Sequence, residues 1–402
     1  MPPSVIDKQN AEFWNIPKER AMLALLTRKM RGLKGRLKSK LDGAVQQYKQ
    51  AKTFRRTVAP YPATIYLAVN TRCGFACKMC DVGMDQYDTQ FYKIMSLSKD
   101  KPRERLALDR LKTLVDEVKD FKPMIAATST EPLLYKDIIP LCDHVVSNGL
   151  QMLVTTAGLQ LEKYAEELVR VGAPQLWVSI DGPPEIHNDI RGVKDSFQKS
   201  IAGIRAVDDW KRRLGREYPK IGINYALSNY NYHCLEPFMA AVHPLPVDQI
   251  TFSHMNYVTA VTAETHNARF GHLYPATVSS VSSADPTKVD VAVLWDQVNL
   301  VKTRYPGRVS FGPDLDRKGL EDFYFHPEVF VRGDRCYVPW RAAEIIANGD
   351  CVVMTRCFQV SFGNIYEQGF KEIWNGPRYQ EFRKNLITHG SYPACSRCCG
   401  IL

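Results

Sequence analysis

Three cysteines on one short stretch of the sequence have a spacing that can hold an iron–sulfur cluster. Cys73, Cys77 and Cys80 form a C-x3-C-x2-C pattern directly after a strand-like run, residues 64–69. Three thiolates on one loop can bind three corners of a cubane cluster, and no fourth cysteine lies near them in the sequence. One iron is then left open, as in catalytic metal sites, which keep a position for substrate. The alternatives are a zinc knuckle or a partly formed disulfide set, although zinc sites usually pair C-x2-C with a second such pair.

The composition favours metal ligation over disulfides. The chain of 402 residues has eleven cysteines, several of them in tight clusters, and no stretch with the pattern of an export signal. The longest apolar run near the N-terminus, residues 21–26, is too short to span a membrane. A cytoplasmic protein is therefore expected, and the cytoplasm keeps thiols reduced. Hydrophobic residues at 45% and charged residues at 24% are ordinary globular values, which argue against disorder or a fibre.

The net charge of +10 comes from one end of the chain. Residues 1–56 contain fourteen Lys and Arg against four Asp and Glu, so the other residues are formally neutral. From about residue 17 to residue 51, apolar residues recur at helical spacing and basic residues lie opposite them. Such a basic amphipathic helix can bind an anionic membrane, which predicts peripheral association with the inner membrane face. The helix could instead bind an acidic carrier or RNA phosphates, and nucleic acid is the less favoured of these partners. It could also pack on the enzyme body with its charges solvated.

Alternating strands and helices follow the cysteine loop and would position it. The predicted strands cover residues 64–69, 124–128, 151–155, 175–180, 220–227 and 249–253, and the predicted helices cover 106–120, 137–148, 160–171, 196–213 and 232–242. This rhythm predicts an α/β fold with a parallel sheet, in the form of a partial (β/α)6 TIM-like barrel. Active sites of βα barrels form at the carboxyl ends of the strands, where the cysteine loop begins. Two stretches of weak periodicity, 84–105 and 254–289, are expected to be irregular, the second as part of an insertion or lid.

The C-x3-C-x2-C loop after the first strand of such a barrel resembles the cluster motif of the radical S-adenosylmethionine (SAM) superfamily. The resemblance implies a [4Fe-4S] cluster held by Cys73, Cys77 and Cys80, with SAM chelating the open iron through its amino and carboxylate groups. It also implies that an external electron donor, a flavodoxin or ferredoxin, reduces the cluster, which cleaves SAM to a 5'-deoxyadenosyl radical. The match covers roughly residues 64 to 253.

Other strand ends resemble the same superfamily and give candidate SAM-binding residues. STEP, residues 129–132, stands where many members have GGEP, so the glutamate is kept and the glycine pair is lost. TTAG, residues 155–158, resembles TNG, and residues 178–192 resemble VSxDGxxExHDxxRG. By this match the candidates are Glu131 for the SAM amino group, Thr156 for the ribose, Ser179 and Asp181 near the ribose or methionyl group, Arg191 for the carboxylate, and Asn224 near the adenine. Each has a structural alternative, such as a helix cap for Asp181 or a surface ion pair for Arg191.

Two residues are candidates for acid–base chemistry on a substrate. His254 ends the sixth predicted strand, where it would face the barrel mouth. Tyr66, on the first strand, is expected to point inward on the same grounds. The alternative for a lone histidine is a structural hydrogen-bonding role.

The C-terminal region resembles the auxiliary-cluster extension of this superfamily, known as the SPASM or twitch domain. The run GNIYEQGFKEIWN, residues 363–375, is followed by an arginine-bearing helix and a C-x2-C pair. The resemblance implies a second [4Fe-4S] cluster of the four-cysteine twitch type, bound by Cys336, Cys357, Cys395 and Cys398. Cys351 is the alternative to Cys357, and Cys399 is the alternative to Cys398. A zinc ribbon is the alternative for the whole set.

These observations predict a radical SAM oxidoreductase. The expected reaction is hydrogen abstraction from a small or lipid-linked hydroxylated substrate, with the auxiliary cluster as electron acceptor in a net two-electron oxidation. A ribosomal-peptide maturase and a degenerate, non-catalytic iron–sulfur scaffold are the alternatives. The predicted domains are a basic helical extension (1–60), the radical SAM core barrel (61–254), an insertion that completes the barrel (255–334) and the auxiliary-cluster domain (335–402).

Overall fold

The computed structural model describes residues 54–84, 86, 88–95, 104–281 and 283–398. The predicted basic helix at residues 17–51 and the alternative ligand Cys399 lie outside this range. None of the helices in the described ranges is both long and apolar enough to cross a membrane.

A single ten-stranded sheet forms the centre of the described chain. Its strands are β1 (Thr64–Leu67), β2 (Met124–Ala127), β3 (Met152–Thr156), β4 (Gln175–Ser179), β5 (Lys220–Leu227), β6 (Gln249–His254), β7 (Val309–Gly312), β8 (Ala342–Ile345), β9 (Asp350–Val352) and β10 (Gly363–Asn364). The spatial order is β10-β9-β8-β1-β2-β3-β4-β5-β6-β7, with β9 and β10 antiparallel and the other strands parallel. The predicted α/β fold with a parallel sheet is thus confirmed, and all six predicted strands are present. β7 and β8 extend the parallel part at its two ends.

Helices connect the successive parallel strands β1 to β8, as parallel pairing requires, and two further helices follow β10. They are α1 (Gln90–Ile94), α2 (Leu108–Val118), α3 (Ile138–Ser147), α4 (Leu161–Val171), α5 (Pro184–Arg191), α6 (Ser196–Leu214), α7 (Leu235–Val242), α8 (Ala260–Phe270), α9 (Val291–Arg304), α10 (Arg317–Phe325), α11 (Phe370–Trp374) and α12 (Pro377–His389). Each of the five predicted helices is present, with ends that differ by a few residues.

The two faces of the sheet differ in chemistry, and this difference decides where the site lies. One face carries apolar residues that are fully buried against the helices, among them Ile65, Ile125, Val154, Val178 and Ile223. The residues that alternate with them are half-buried and often polar, as the burial patterns of β3 and β4 show. They line the inner face of the partial barrel. They are Tyr66, Thr155, Trp177, Ser179, Asn224, Thr251, Ser253 and Ser310.

The stretches expected to be irregular contain two helices, so that expectation is wrong for these segments. The short helix α1 lies within residues 84–105, and α8 lies within residues 254–289. The sequence of α8 shows no apolar stripe because the residues that it buries are Thr262, Ala263 and His266. Thr259 caps this helix by accepting a hydrogen bond of 3.2 Å from the amide of Thr262.

Candidate active site

The cysteine loop after β1 packs on the end of α5. The amide of Ala76 donates a hydrogen bond of 3.2 Å to the carbonyl of Arg191, and the amide of Lys78 donates one of 2.9 Å to that of Ile190. Gly192 ends α5 with φ +64°, and a Cβ there would lie 2.9 Å from the Ala76 carbonyl oxygen. Gly83 is equally confined, since its Cβ would lie 2.5 Å from the Cys77 amide nitrogen. Both glycines therefore allow close backbone contacts that fix the shape of the loop.

The three thiols of this loop share one apolar cluster. Cys77 is buried there with Phe75 and Ala157, and Cys73 and Cys80 pack against these residues. Burial, together with the charges of Cys77 and Cys80, raises the pKa of Cys73 to about 12. Burial also raises the pKa of Cys77 to about 11, against the opposing effect of Arg191. Binding of iron would replace these thiol protons, and the three soft donors in a shielded site fit a cluster.

Arg191 lies behind the cysteine loop in a buried ion pair with Asp181. Its Nη2 lies 2.5 Å from Asp181 Oδ2, and its Nη1 lies 3.8 Å from Cys77 Sγ. Asp181 is fully buried, and its Oδ1 accepts a hydrogen bond of 2.9 Å from the amide of Ala226. The buried Arg191 Nε has no hydrogen-bond partner within the described chain, so this guanidinium keeps one free donor for an anionic ligand.

The partners of Asp181 correct its expected role. The resemblance predicts that Asp181 lies near the ribose or the methionyl group of SAM. In the structure Asp181 is wholly enclosed by protein and holds Arg191 in place. Neither structural alternative applies as stated, since the pair is buried rather than on the surface and Asp181 is not a helix cap.

Glu131 of the STEP stretch is buried beneath the cysteine loop with a nearly complete set of hydrogen bonds. Its Oε1 accepts from the amide of Leu133 at 3.0 Å and from Thr156 Oγ1 at 2.7 Å. Its Oε2 accepts from the amide of Ala157 at 2.8 Å. Burial raises the pKa of Glu131, while these hydrogen bonds oppose the shift.

The same contacts correct the expectation for Thr156. Its hydroxyl donates to Glu131 and accepts a hydrogen bond of 3.0 Å from the amide of Gly158, and the residue is 1% exposed. Thr156 therefore has no free donor for a ribose hydroxyl. It positions Glu131 instead.

Ser179, Asn224 and Tyr66 lie on the inner face of the sheet, in line with their expected orientation. Asn224 pairs in register with Ser179, and its Oδ1 accepts a hydrogen bond of 2.9 Å from Ser253 Oγ. Tyr66 lies in register between Ala126 and Glu344. Their roles in binding or catalysis stay predictions.

His254 does not face the barrel mouth, so that expectation is wrong. It lies on the apolar face of β6, 2% exposed, and its Nδ1 is 2.9 Å from the hydroxyl of Tyr324 in α10. Burial lowers its pKa to about 4, so the ring is neutral at physiological pH. The alternation of side chains along β6 could have predicted that His254 lies on the apolar face, because Ile250 and Phe252 are apolar and His254 follows them at the same two-residue spacing.

The C-terminal structure brings four cysteines together. The charges of Cys398, Cys336 and Cys395 each add to burial in raising the pKa of Cys357. The charges of Cys336 and Cys398 likewise raise the pKa of Cys395. These mutual effects place all four thiols in one group, which is the set implied by the twitch resemblance.

Cys351 lies apart from this group. It is buried within β9, and besides burial its pKa of about 12 reflects Tyr379, Asp350, Arg383 and Glu344 rather than other thiols. Cys142 and Cys234 are also buried, and they lie in the core. Among the described residues, no three Cys, His, Asp or Glu side chains are arranged around a single metal ion. An iron–sulfur cluster does not need that arrangement, since each of its irons takes one protein thiolate.

A polar connection that the sequence did not reveal joins the two cysteine loops. Asp81 accepts hydrogen bonds from Ser279 Oγ at 2.9 Å and from the amide of Ser280 at 2.8 Å. The hydroxyl of Ser280 accepts a hydrogen bond of 2.5 Å from Arg356, which precedes Cys357. In parallel, Gln90 Nε2 donates a hydrogen bond of 2.7 Å to the carbonyl of Cys357. The segment expected to be an insertion or lid thus contributes the residues between Asp81, next to Cys80, and Arg356.

Comparison with protein families gives two matches on this chain. Residues 67–210 match the radical SAM superfamily, and residues 336–399 match SPASM, an iron–sulfur cluster-binding domain. In addition, the solved structure of SuiB from Streptococcus suis covers 96% of this chain and 83% of its own, with a TM-score of 0.56 and 15% identity. At that identity the likeness concerns the fold alone.

Several curated proteins are similar in sequence. Fe-coproporphyrin III synthase of Methanosarcina barkeri is 24% identical over 38% of this chain and 37% of its own length. AdoMet-dependent heme synthase of the same organism is 32% identical over 26% of this chain, and the two matches span only about a third of each relative. The tungsten-containing aldehyde ferredoxin oxidoreductase cofactor-modifying protein of Pyrococcus furiosus is 23% identical over 83% of this chain and 86% of its own length.

The two family matches agree with what the two cysteine groups imply about cofactors. The first domain uses a [4Fe-4S] cluster and SAM, and the second binds auxiliary iron–sulfur. By these matches the chain belongs to the radical SAM superfamily, as a member with a C-terminal SPASM domain.

Proposed function

We propose that this radical SAM enzyme abstracts a hydrogen atom from a small or lipid-linked hydroxylated substrate and completes a net two-electron oxidation. The observation that carries the proposal is the group of four half-buried cysteines at Cys336, Cys357, Cys395 and Cys398. Four thiolates close the ligand set of a cubane cluster, so it cannot bind substrate but can accept an electron.

The residues of the cysteine loop and its surroundings supply the first site. Cys73, Cys77 and Cys80 would hold the cluster, Arg191 would offer its free Nε donor to the SAM carboxylate, and Glu131 would bind the SAM amino group. Asp181 and Thr156 hold these two residues in their rotamers. When bound, the two clusters and SAM supply the 5'-deoxyadenosyl radical and an acceptor for the electron that the substrate loses. A flavodoxin or ferredoxin is the proposed reductant.

The inner face of the sheet supports a hydroxylated substrate. Hydroxyl and amide groups project from neighbouring strands there, with Ser253 bonded to Asn224 and Thr251 Oγ1 at 2.9 Å from Ser310 Oγ. Such groups can donate to or accept from substrate hydroxyls. The ring of Trp177 lies over Gly222, where a Cβ would come within 2.6 Å of it, and forms an apolar wall. Tyr66 remains our candidate for proton transfer.

The relatives favour a small organic substrate over a peptide. One relative that is matched over 86% of its length is named as a cofactor-modifying protein, and two others are named as synthases of heme or of a porphyrin. A heme-type or cofactor-type substrate therefore belongs in the first test. The domain limits at residues 61–254, 255–334 and 335–402 belong to the same proposal, as does association of residues 1–60 with the inner membrane face.

The test is 5'-deoxyadenosine formation by the anaerobically reconstituted, reduced enzyme. The enzyme is assayed without addition and, in separate samples, with a polar metabolite extract, a lipid extract, iron-coproporphyrin or a ribosomal peptide library. We expect stimulation by the polar, lipid or porphyrin arm, with one substrate molecule losing two hydrogens for each SAM consumed.

Two outcomes would contradict the proposal. Stimulation by peptides alone would favour the maturase alternative, and no product in any arm would favour the non-catalytic scaffold. The combined Cys73→Ala, Cys77→Ala, Cys80→Ala variant should form no 5'-deoxyadenosine. The matched control is Cys142→Ala, which removes a buried thiol of α3 outside both groups and should leave the activity intact.

A further inference from the structure

Ser129 occupies a backbone conformation that glycine adopts easily and serine does not. Its φ is +79°, in the left-handed region. It is the first residue of STEP, at a position where many superfamily members have glycine. A residue with a Cβ in this conformation persists only where its surroundings hold it. The loss of the glycine therefore implies a compensating contact.

That contact is a buried carboxylate on β8. The hydroxyl of Ser129 donates to Oε1 of Glu344, and the other oxygen of Glu344 accepts a hydrogen bond of 2.7 Å from the amide of Thr355. Glu344 is fully buried on the inner face, in register with Tyr66. Each carboxylate oxygen thus binds a different loop, and a buried carboxylate needs both partners.

The two loops bridged by Glu344 are those that serve the two cofactor sites. Ser129 lies two residues before Glu131, whose amide also donates a hydrogen bond of 3.2 Å to the carbonyl of Arg72, next to Cys73. Thr355 lies two residues before Cys357. Movement of either loop therefore changes a hydrogen bond that the other loop depends on.

We propose that Glu344 is a positioning residue that couples the SAM-binding loop, residues 129–131, to the auxiliary-cysteine loop, residues 355–357. This inference rests on the proposed function in taking SAM as the ligand of the first loop. The bridge holds Ser129 in its left-handed conformation, and so sets the position of Glu131. It also transmits a change on SAM binding to the environment of the auxiliary cluster.

Substitutions at Ser129 separate this role from a purely structural one. Ser129→Gly removes the hydrogen bond to Glu344 together with the backbone strain at residue 129, because glycine adopts the left-handed conformation freely. Ser129→Ala removes the hydrogen bond and keeps the Cβ. We expect Ser129→Ala and Glu344→Ala each to weaken SAM binding about tenfold, and Ser129→Gly to change it by less than about twofold. Glu344→Gln, whose amide can accept from Thr355 and donate to Ser129, should stay within about threefold.

The experiment measures SAM affinity by isothermal titration, and the electron paramagnetic resonance spectrum of the reduced auxiliary cluster with and without SAM. In the wild-type enzyme and Glu344→Gln, SAM should shift the auxiliary spectrum. In Ser129→Gly, SAM should bind but leave that spectrum unchanged. Equal losses of affinity in Ser129→Gly and Ser129→Ala, or a SAM-dependent shift that survives in Ser129→Gly, would overturn the coupling.

The same data distinguish failure of this inference from failure of the proposed function. If the wild-type enzyme with a loaded first cluster binds no SAM, the proposed function falls and the inference with it. If the wild-type enzyme binds SAM while all four variants bind it equally well, only the inference falls. Should Glu344→Ala not fold, the two Ser129 variants still decide the question, since they leave the buried carboxylate in place.

Discussion

Asp181 and Arg191 form a buried ion pair of 2.5 Å directly behind Cys77. Asp181→Asn leaves the guanidinium without its counter-charge, and breaking a buried pair of this kind costs about 3 kcal/mol. We expect a loss of about that size in the free energy of unfolding, measured by urea denaturation, together with weaker SAM binding. The matched control is Glu217→Gln, which breaks the exposed pair with Lys220 at 3.0 Å and should cause no measurable change. Equal effects of the two substitutions would contradict the role given to Asp181.

Alanine substitutions at Gly192 and Gly215 test how the cysteine loop packs on α5. Both end helices with left-handed φ, +64° and +60°, but a Cβ at Gly192 would contact Ala76 at 2.9 Å while a Cβ at Gly215 would have nothing within 4 Å. Gly215→Ala should cost only the backbone strain, about 1 kcal/mol, with normal iron content. Gly192→Ala should push the loop away and reduce iron and sulfide per chain to the level of the triple cysteine variant. Normal iron in Gly192→Ala would mean that the loop binds its cluster without this contact.

Cys351 and Cys357 give a prediction about the auxiliary ligands. Cys357 lies with the other three thiols, whereas Cys351 lies within β9 beside Tyr379. Cys357→Ser should remove the auxiliary cluster, lowering iron by about four atoms per chain, and Cys351→Ser should keep it. Iron analysis with Mössbauer spectroscopy measures both. The reverse pattern would assign the ligand to Cys351.

We expect the buried His254 to make the free energy of unfolding of this protein depend on pH. Burial lowers the pKa of His254 from its usual 6.5 to about 4, so between these pH values the unfolded chain binds a proton that the folded chain does not. The stability that this neutral ring contributes is complete above about pH 6.5 and is lost as the pH falls towards 4. Between about pH 8 and pH 5.5 the loss from this residue is about 1 kcal/mol.

His254→Asn removes this titration and keeps a hydrogen-bonding group near Tyr324. Urea denaturation at the two pH values should therefore show a smaller decrease for the variant than for the wild-type protein. An identical decrease in both would show that His254 titrates normally in the folded chain.

Local sequence was enough for the parts of this protein whose geometry depends on nearby residues. The spacing of Cys73, Cys77 and Cys80 predicted a cluster loop, and alternation with helical periodicity predicted the parallel sheet, since both depend on contacts within a few residues. It was harder to predict which face of the sheet each strand residue occupies. A shift of one residue along a strand moves a side chain from the barrel interior to the helix layer, and His254 lies on the helix side instead of the predicted interior.

By itself, then, the sequence determined the cofactor chemistry, because the thiols that bind iron are recognisable from their type and spacing. The tertiary structure decided which residues support them. Glu344 lies 215 positions from Ser129, and Ser280 lies 199 positions from Asp81, so no local pattern could pair them. The same holds for Asp181, because only its complete burial beside Arg191 shows that it supports that residue. Such pairs form only when the folded sheet brings distant loops together at one edge, where a buried polar group must find a partner.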